Sequence, residues 1–302
     1  MGEKNMSVNP LGKLAKSFGI YDFLCKIGVQ HFFEMLLLSG AKEREQQEAI
    51  RAELFYSANE SRIDTILSIF EDDESRKVFQ KAIQFRRTRK RKDLPPKCKE
   101  NEYFNSLTPK SLIPNQTVFV DCGAYSGDTA QDILDIYAQK VERVIAFEPD
   151  LGNLKELLTR LGDNEKVKII DSGVWSIDTC LEFSMNSSES SSVASFSQER
   201  VSDNLTKVRV CAIDNVSDCV NAGFIKMDIE GAELEALKGA KRTIVRNRPI
   251  LAICLYHSDE DMLTIPEWCM KTVSDYRYYC RHHSYFKADT ILYAIPNELR
   301  EE

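Results

Sequence analysis

No stretch of this 302-residue chain approaches the ~18 consecutive apolar residues that a membrane-crossing helix needs, the longest candidate being Ile250 to Tyr256. The amino terminus, Met-Gly-Glu-Lys-Asn-Met, lacks the apolar core of a signal peptide. Met6 stands where a myristoylation signal needs Ser or Thr. A soluble cytoplasmic protein is the resulting expectation. An excess of one charge is also lacking: 40 Lys and Arg against 47 Asp and Glu leave a net charge of -7, with no global pull towards nucleic acid or anionic membrane. Nine cysteines, an odd number, contain no Cys-x-x-Cys pair, and several fall inside apolar strand-like runs. Reduced, packed thiols are therefore expected, and neither disulfides nor a zinc site. What is present is ample apolar content, 43% of residues, enough for one large domain and a smaller one.

The most informative run is Thr-Val-Phe-Val-Asp-Cys-Gly-Ala-Tyr-Ser-Gly, residues 117 to 127. A β-branched and aromatic strand ends in Asp121 and enters a turn with Gly123 and Gly127. Ala130, Ile133, Leu134 and Tyr137 then recur at helical spacing. This strand, glycine turn and helix form the nucleotide-binding unit of an open α/β sheet. A dinucleotide fold has a glycine two residues after the first, so that the backbone can approach a pyrophosphate. Here that place holds Tyr125, which points to an adenosyl compound without one. Glu148 ends the next strand, Arg143 to Phe147, 21 residues past Gly127. A carboxylate at that distance can accept from both ribose hydroxyls. Asp150 then reads as the N-cap of a helix whose apolar face is Leu151, Leu154, Leu157, Leu158 and Leu161.

The segments Val-Phe-Val-Asp-Cys-Gly-Ala-Tyr-Ser-Gly-Asp-Thr (118 to 129), Ala-Phe-Glu-Pro-Asp (146 to 150) and Phe-Ile-Lys-Met-Asp-Ile-Glu-Gly-Ala-Glu (224 to 233) resemble the FkbM family of S-adenosylmethionine-dependent methyltransferases. The match runs in order from about residue 102 to 296. The resemblance implies a class I methyltransferase, a Rossmann-like open sheet, mostly parallel with an antiparallel C-terminal strand. It further implies S-adenosylmethionine as methyl donor and a hydroxyl on a sugar, glycan or natural product as acceptor. Expected cofactor contacts are Asp121, Gly123, Tyr125, Gly127, Glu148 and Asp171.

Asp171 follows a third strand, Val167 to Ile170. It either accepts from the adenine amino group, with Trp175 over the ring, or belongs to a plain Asp-Ser-Gly turn. The fourth strand, Phe224 to Met227, ends in Asp228, and the fifth, Ile250 to Tyr256, precedes His257. In an open α/β sheet ligands sit beyond the carboxyl ends of the strands, so Asp121, Glu148, Asp171, Asp228 and His257 share the functional edge. Asp228 and His257 are the catalytic candidates. A His257 base would make the rate rise through the ~6 to 7 range of an imidazole. Glu230 and Glu233 read as helix-start acids, with Lys226 a partner for one of them, and Ser258 with Asp261 as a helix cap. No resident metal is expected. The weaker alternative is an ion held by Asp228, His257 and one of His282 or His283.

Residues 1 to 100 carry helical stripes, among them Ile63, Ile66, Leu67 and Phe70, then Val78, Phe79, Ala82 and Ile83. They form a separate helical region, a scaffold or a homo-oligomer surface, joined by a basic linker to a catalytic domain at 101 to 302. In that linker six of the seven residues from Arg86 to Lys92 are basic, which suits either a solvated connection or a polyanion contact. From 180 to 213 strand-like runs surround a serine-rich stretch and read as an antiparallel insertion. Two rival readings stay open: a catalytically silent cofactor-fold binding module, and a nucleic-acid methyltransferase that uses the basic run.

Overall fold

The computed structural model describes residues 29–184, 205–286 and 288–299. Two compact units divide the chain between Ala52 and Glu53. The first contains most of a long helix, α1 (Val29–Ala58). In the second, helices α2 (Glu60–Ile69) and α3 (Asp73–Thr88) precede the sheet. Helix α3 belongs to this second unit and packs along the edge of the sheet. Asp72 caps α3 by accepting from Ser75 N, and Ser75 Oγ in turn accepts from Cys280 N at 2.9 Å and from Arg281 Nη1 at 2.8 Å. Arg281 Nη2 completes the clasp on Asp72 Oδ2 at 2.8 Å.

The glycine-turn region folds as its local pattern dictates. Strand β1 (Thr117–Cys122) leads through the turn to α4 (Asp128–Tyr137), β2 (Val141–Phe147), α5 (Leu151–Leu161) and β3 (Val167–Ile170). Asp150 caps α5 through Gly152 N and Asn153 N, as expected. Only Leu157 and Leu161 of its leucines are buried, while Leu151 and Leu158 are exposed, so the helix buries a narrower face than its spacing suggests.

A short β4 (Gly173–Val174), β5 (Thr179–Ser184) and β6 (Leu205–Cys211) make a small second sheet in the order β4-β6-β5, with β5 and β6 antiparallel. The serine-rich stretch and the run Val193 to Phe196 lie outside the described residues. The main sheet resumes with β7 (Ala222–Met227), α6 (Glu233–Gly239), α7 (Lys241–Asn247), β8 (Ile250–Cys254), α8 (Asp261–Thr272), β9 (Tyr276–His282) and β10 (Thr290–Pro296). Its seven strands run β3-β2-β1-β7-β8-β10-β9. Every pairing from β3 to β8 is parallel, and β10 alone is antiparallel to both of its neighbours. This is the α/β sheet that the sequence implied. Under it lies an aromatic core in which Phe119 stacks on both Tyr137 and Phe224 at centroid distances of 5.2 and 5.4 Å.

The first part of the basic run belongs to α3. Arg86 is a buried residue of the last turns of α3, with Nη1 2.8 Å from Asp259 Oδ1 and Nη2 donating to the Tyr256 carbonyl. Tyr56 OH donates to the same Asp259 oxygen at 2.9 Å. Arg87 pairs with Glu60. Lys90, Arg91 and Lys92 are exposed. No helix of the described residues is long and apolar enough to cross a membrane.

Candidate active site

Five neighbouring strands present their carboxyl ends to one edge, and the turn after β1 is its centre. Gly123 N and Ala124 N both donate to Phe147 O, at 3.1 and 3.0 Å, which ties the turn to the end of β2. Gly123 has φ +80°, and a Cβ there would stand 2.0 Å from the carbonyl oxygen of Asp228. The glycine is thus required by the neighbouring strand end, whatever ligand binds above it. Tyr125 is held at φ +49°, with its ring exposed and its N–H donated to Glu148 Oε2 at 2.8 Å. Glu148 Oε1 accepts from Asp150 N at 2.9 Å, so the carboxylate is fixed in direction from both sides. Burial raises its pKa, and those two N–H groups oppose the rise.

Asp121, by contrast, is sealed beneath this edge. Its register partner on β7 is Lys226, whose Nζ lies 3.0 Å from Asp121 Oδ1. The same ammonium donates to Gly123 O at 2.7 Å and to Cys122 O at 3.3 Å. Burial opposes the charge on Lys226, and Asp121 outweighs it, holding the ammonium above its usual range. The expected pairing of Lys226 with Glu230 or Glu233 is corrected: within a parallel sheet the side chain shares a face with its register neighbour.

Asp228 and His257 come together as expected, in richer company. Asp228 Oδ1 accepts from Tyr256 OH at 2.8 Å and faces His257 Nε2 at 3.1 Å; Oδ2 accepts from Tyr103 OH at 3.0 Å. Glu233, fully buried at the start of α6, reaches back to Ile229 N at 2.8 Å and places the same oxygen 3.1 Å from His257 Nε2. Glu230 Oε2 is 3.6 Å from His257 Nδ1. Burial by itself would lower the His257 pKa, yet the carboxylates of Asp228 and Glu233 raise it to about 10. A step in rate between pH 6 and 7 does not fit such an imidazole. Burial would lift Asp228, but His257 and Lys226 hold it well below the usual carboxylate range. Asp228 is therefore an acceptor of hydrogen bonds more than of protons.

The remaining candidates lie apart. Asp171 is exposed after β3, with its carbonyl accepting from Arg209 Nη2 at 2.7 Å. Trp175 N donates to Cys211 O in the small sheet. Ser258 Oγ caps α8 through Asp261 N at 3.0 Å, as expected, whereas Asp259 belongs to Arg86. His282 and His283 are buried against Thr290 and Tyr293, at 2.9 Å each, and join neither group of close donor atoms. Three residues that sequence reasoning missed are Tyr103, Tyr256 and Glu102. Burial and the nearby charges of Asp289 and Asp228 raise the Glu102 carboxyl to about 7. Tyr103 and Glu102 precede every motif, so no spacing signals them; only Tyr256, adjacent to His257, was within reach.

Among the described residues two sets bring potential metal donors within 4.8 Å of one another: Asp228 with Glu233 and His257, and Asp228 with Glu102 and Cys254. Desolvation pushes the Cys254 thiol well above its usual pKa, against the thiolate a metal needs. For a nucleoside the turn is apt. Glu148 is an oriented acceptor and Tyr125 an exposed aromatic ring beside it. Lys226, the cation beneath the turn, is already engaged by Asp121.

A methyltransferase FkbM domain matches residues 121–285, more than half of the chain. Among solved structures, the methyltransferase FkbM of Methylobacillus flagellatus KT is similar at 26% identity and a TM-score of 0.63, covering 80% of this chain and 60% of its own. The protein thus spans about three fifths of that relative. Fibrillarin of Aeropyrum pernix, with natively bound S-adenosyl-L-methionine, is 13% identical over 61% of this chain and 68% of its own, at a TM-score of 0.38. Precorrin-6y C5,15-methyltransferase of Geobacter metallireducens GS-15 is 10% identical over 67% and 93%, at 0.39. Similarity at those two scores carries no inference about this chain. No curated protein matches it.

Proposed function

Because this chain belongs to the FkbM methyltransferase family, we propose that it transfers a methyl group from S-adenosylmethionine to a hydroxyl oxygen of a sugar, glycan or natural-product acceptor. The observation that carries this reading is the oriented Glu148 carboxylate, locked to the Tyr125 peptide at the glycine turn, one strand from the turn and two from Asp228. S-adenosylmethionine supplies an electrophilic methyl carbon on a sulfonium centre. Glu148 accepts from the ribose hydroxyls, and Tyr125, where a dinucleotide fold has a glycine, offers its exposed ring to the nucleoside. Asp228, fixed by Tyr103, Tyr256 and His257, directs the acceptor oxygen, since alignment and exclusion of water supply most of the rate in such a displacement. Asp171, exposed at the next strand end, is the adenine contact in this reading.

For a nucleic-acid acceptor the basic run offers the exposed Lys90, Arg91 and Lys92, since Arg86 and Arg87 are already in ion pairs within the fold. Calorimetry tests the reading. S-adenosylmethionine is expected to bind and NAD to give no heat. Glu148→Ala should weaken binding roughly tenfold or more, as loss of a charged hydrogen-bond partner costs ~1.5–3 kcal/mol. Unchanged affinity in that variant would remove Glu148 from the site. Mass spectrometry of a cell extract incubated with isotope-labelled S-adenosylmethionine then identifies the methylated acceptor.

A further inference from the structure

The β7–α6 loop and the end of β8 gather more negative charge than the fold neutralises. Asp228, Glu230, Glu233 and Asp261 surround the single imidazole of His257, while Lys226, whose charge also reaches Asp228, is paired with Asp121. Glu233 is fully buried, and its Oε2 has no hydrogen-bond partner. Asp261, only 6% exposed and within electrostatic reach of Glu233 and His257, likewise leaves Oδ2 unpartnered. Buried carboxylate oxygens without partners are costly, and a cation is the partner that satisfies several at once.

The distances agree with that cation being a metal. Asp228 Oδ1 and Glu233 Oε1 each lie 3.1 Å from His257 Nε2, so a cation entering there takes the place of the Nε2 proton, which leaves to solvent. That separation is the edge of an octahedron with bonds of about 2.2 Å, between the lengths usual for Mg2+ and Ca2+. On the far side of the ring, Nδ1 faces Glu230 Oε2 at 3.6 Å, the carboxylate backing that orients metal-bound histidines. The geometry points to a divalent-cation site formed by Asp228, Glu233 and His257, with Glu230 behind the imidazole. Asp228 and Glu230 keep side-chain exposures of 25% and 53%, so one side of the site meets solvent and can receive further oxygen ligands. Oxygen donors joined by one imidazole suit Mn2+ and its hard neighbours over thiolate-seeking metals. An ion held there polarises a hydroxyl oxygen that binds to it. That role rests on the methyl-transfer reading, whereas the site itself does not.

Mn2+ added to the full chain tests it. Electron paramagnetic resonance should show one Mn2+ bound per chain, with nitrogen modulation of the spin echo from a coordinated imidazole. His257→Gln should abolish the modulation and Glu233→Gln should weaken binding at least tenfold, while His282→Gln changes neither. No binding, binding without nitrogen modulation, or undiminished binding in Glu233→Gln overturns the site. Should Glu233→Gln fail to fold, the wild-type modulation and its loss in Asp228→Asn decide. S-adenosylmethionine calorimetry on the same preparation separates the two ideas. Cofactor binding without Mn2+ binding removes the metal site alone, and the reverse removes the cofactor reading alone.

Discussion

Lys226 and Asp121 occupy register positions on adjacent strands and neutralise each other in the interior of the sheet, beneath the turn that would carry the cofactor. Removing one partner strands a buried charge, whereas removing both charges leaves none unpaired. Lys226→Met is accordingly expected to destabilise the protein by ~3–5 kcal/mol, and the double change Lys226→Met with Asp121→Asn by much less. Urea denaturation of the two variants checks this; equal losses would mean that the pair is not the reason for the cost. At this scale the sequence was half legible. Glu148, Asp228 and His257 stand at strand ends, where alternation and chain order reveal them. The partner of Lys226 was hidden because Asp121 lies 105 positions earlier, a neighbour only once β1 and β7 pair.

Helix α3 shows the same limit for a whole element. Its apolar stripe of Val78, Phe79, Ala82 and Ile83 is buried as the spacing requires. Its basic end reads from composition as solvated chain, yet the first arginine is buried on Asp259 and on the carbonyl of Tyr256, next to His257. Arg86→Ala should cost about 3 kcal/mol, the scale for breaking a buried ion pair. Combined replacement of the exposed Lys90, Arg91 and Lys92 by serine should stay within about 0.5 kcal/mol. Denaturant midpoints that moved equally in both variants would refute the division of this run into a structural and a solvated part.

The stability of the whole molecule carries a pH signature from the C-terminal antiparallel pair. Burial lowers the pKa values of His282 and His283 to about 4, so the folded chain keeps both rings neutral where the unfolded chain protonates them. Folded values below the unfolded ~6.5 mean that the unfolded state binds more protons between pH 4 and 6.5. Their contribution is therefore complete above about pH 6.5 and is lost as the pH falls towards 4. Two protons bound on unfolding set a limiting slope of about 2.7 kcal/mol per pH unit. Thermal melts of the wild type and of His282→Gln with His283→Gln between pH 7 and 5 test this: parallel curves would show that the histidines do not contribute.

Periodicity, turn residues and order along the chain sufficed for the local architecture: strand, glycine turn and helix at 117 to 137, the Asp150 cap, and the strands that alternate with helices. These features depend on neighbours within a few residues, where spacings of 2 and 3.6 carry the information. Tertiary structure alone decided which charges face each other. Tyr103 reaches Asp228 across 125 positions, Arg86 reaches Asp259 across 173, and α3 packs on β9. Such pairings arise when separate elements bury their apolar faces together, and no local repeat in the chain encodes which polar groups then meet.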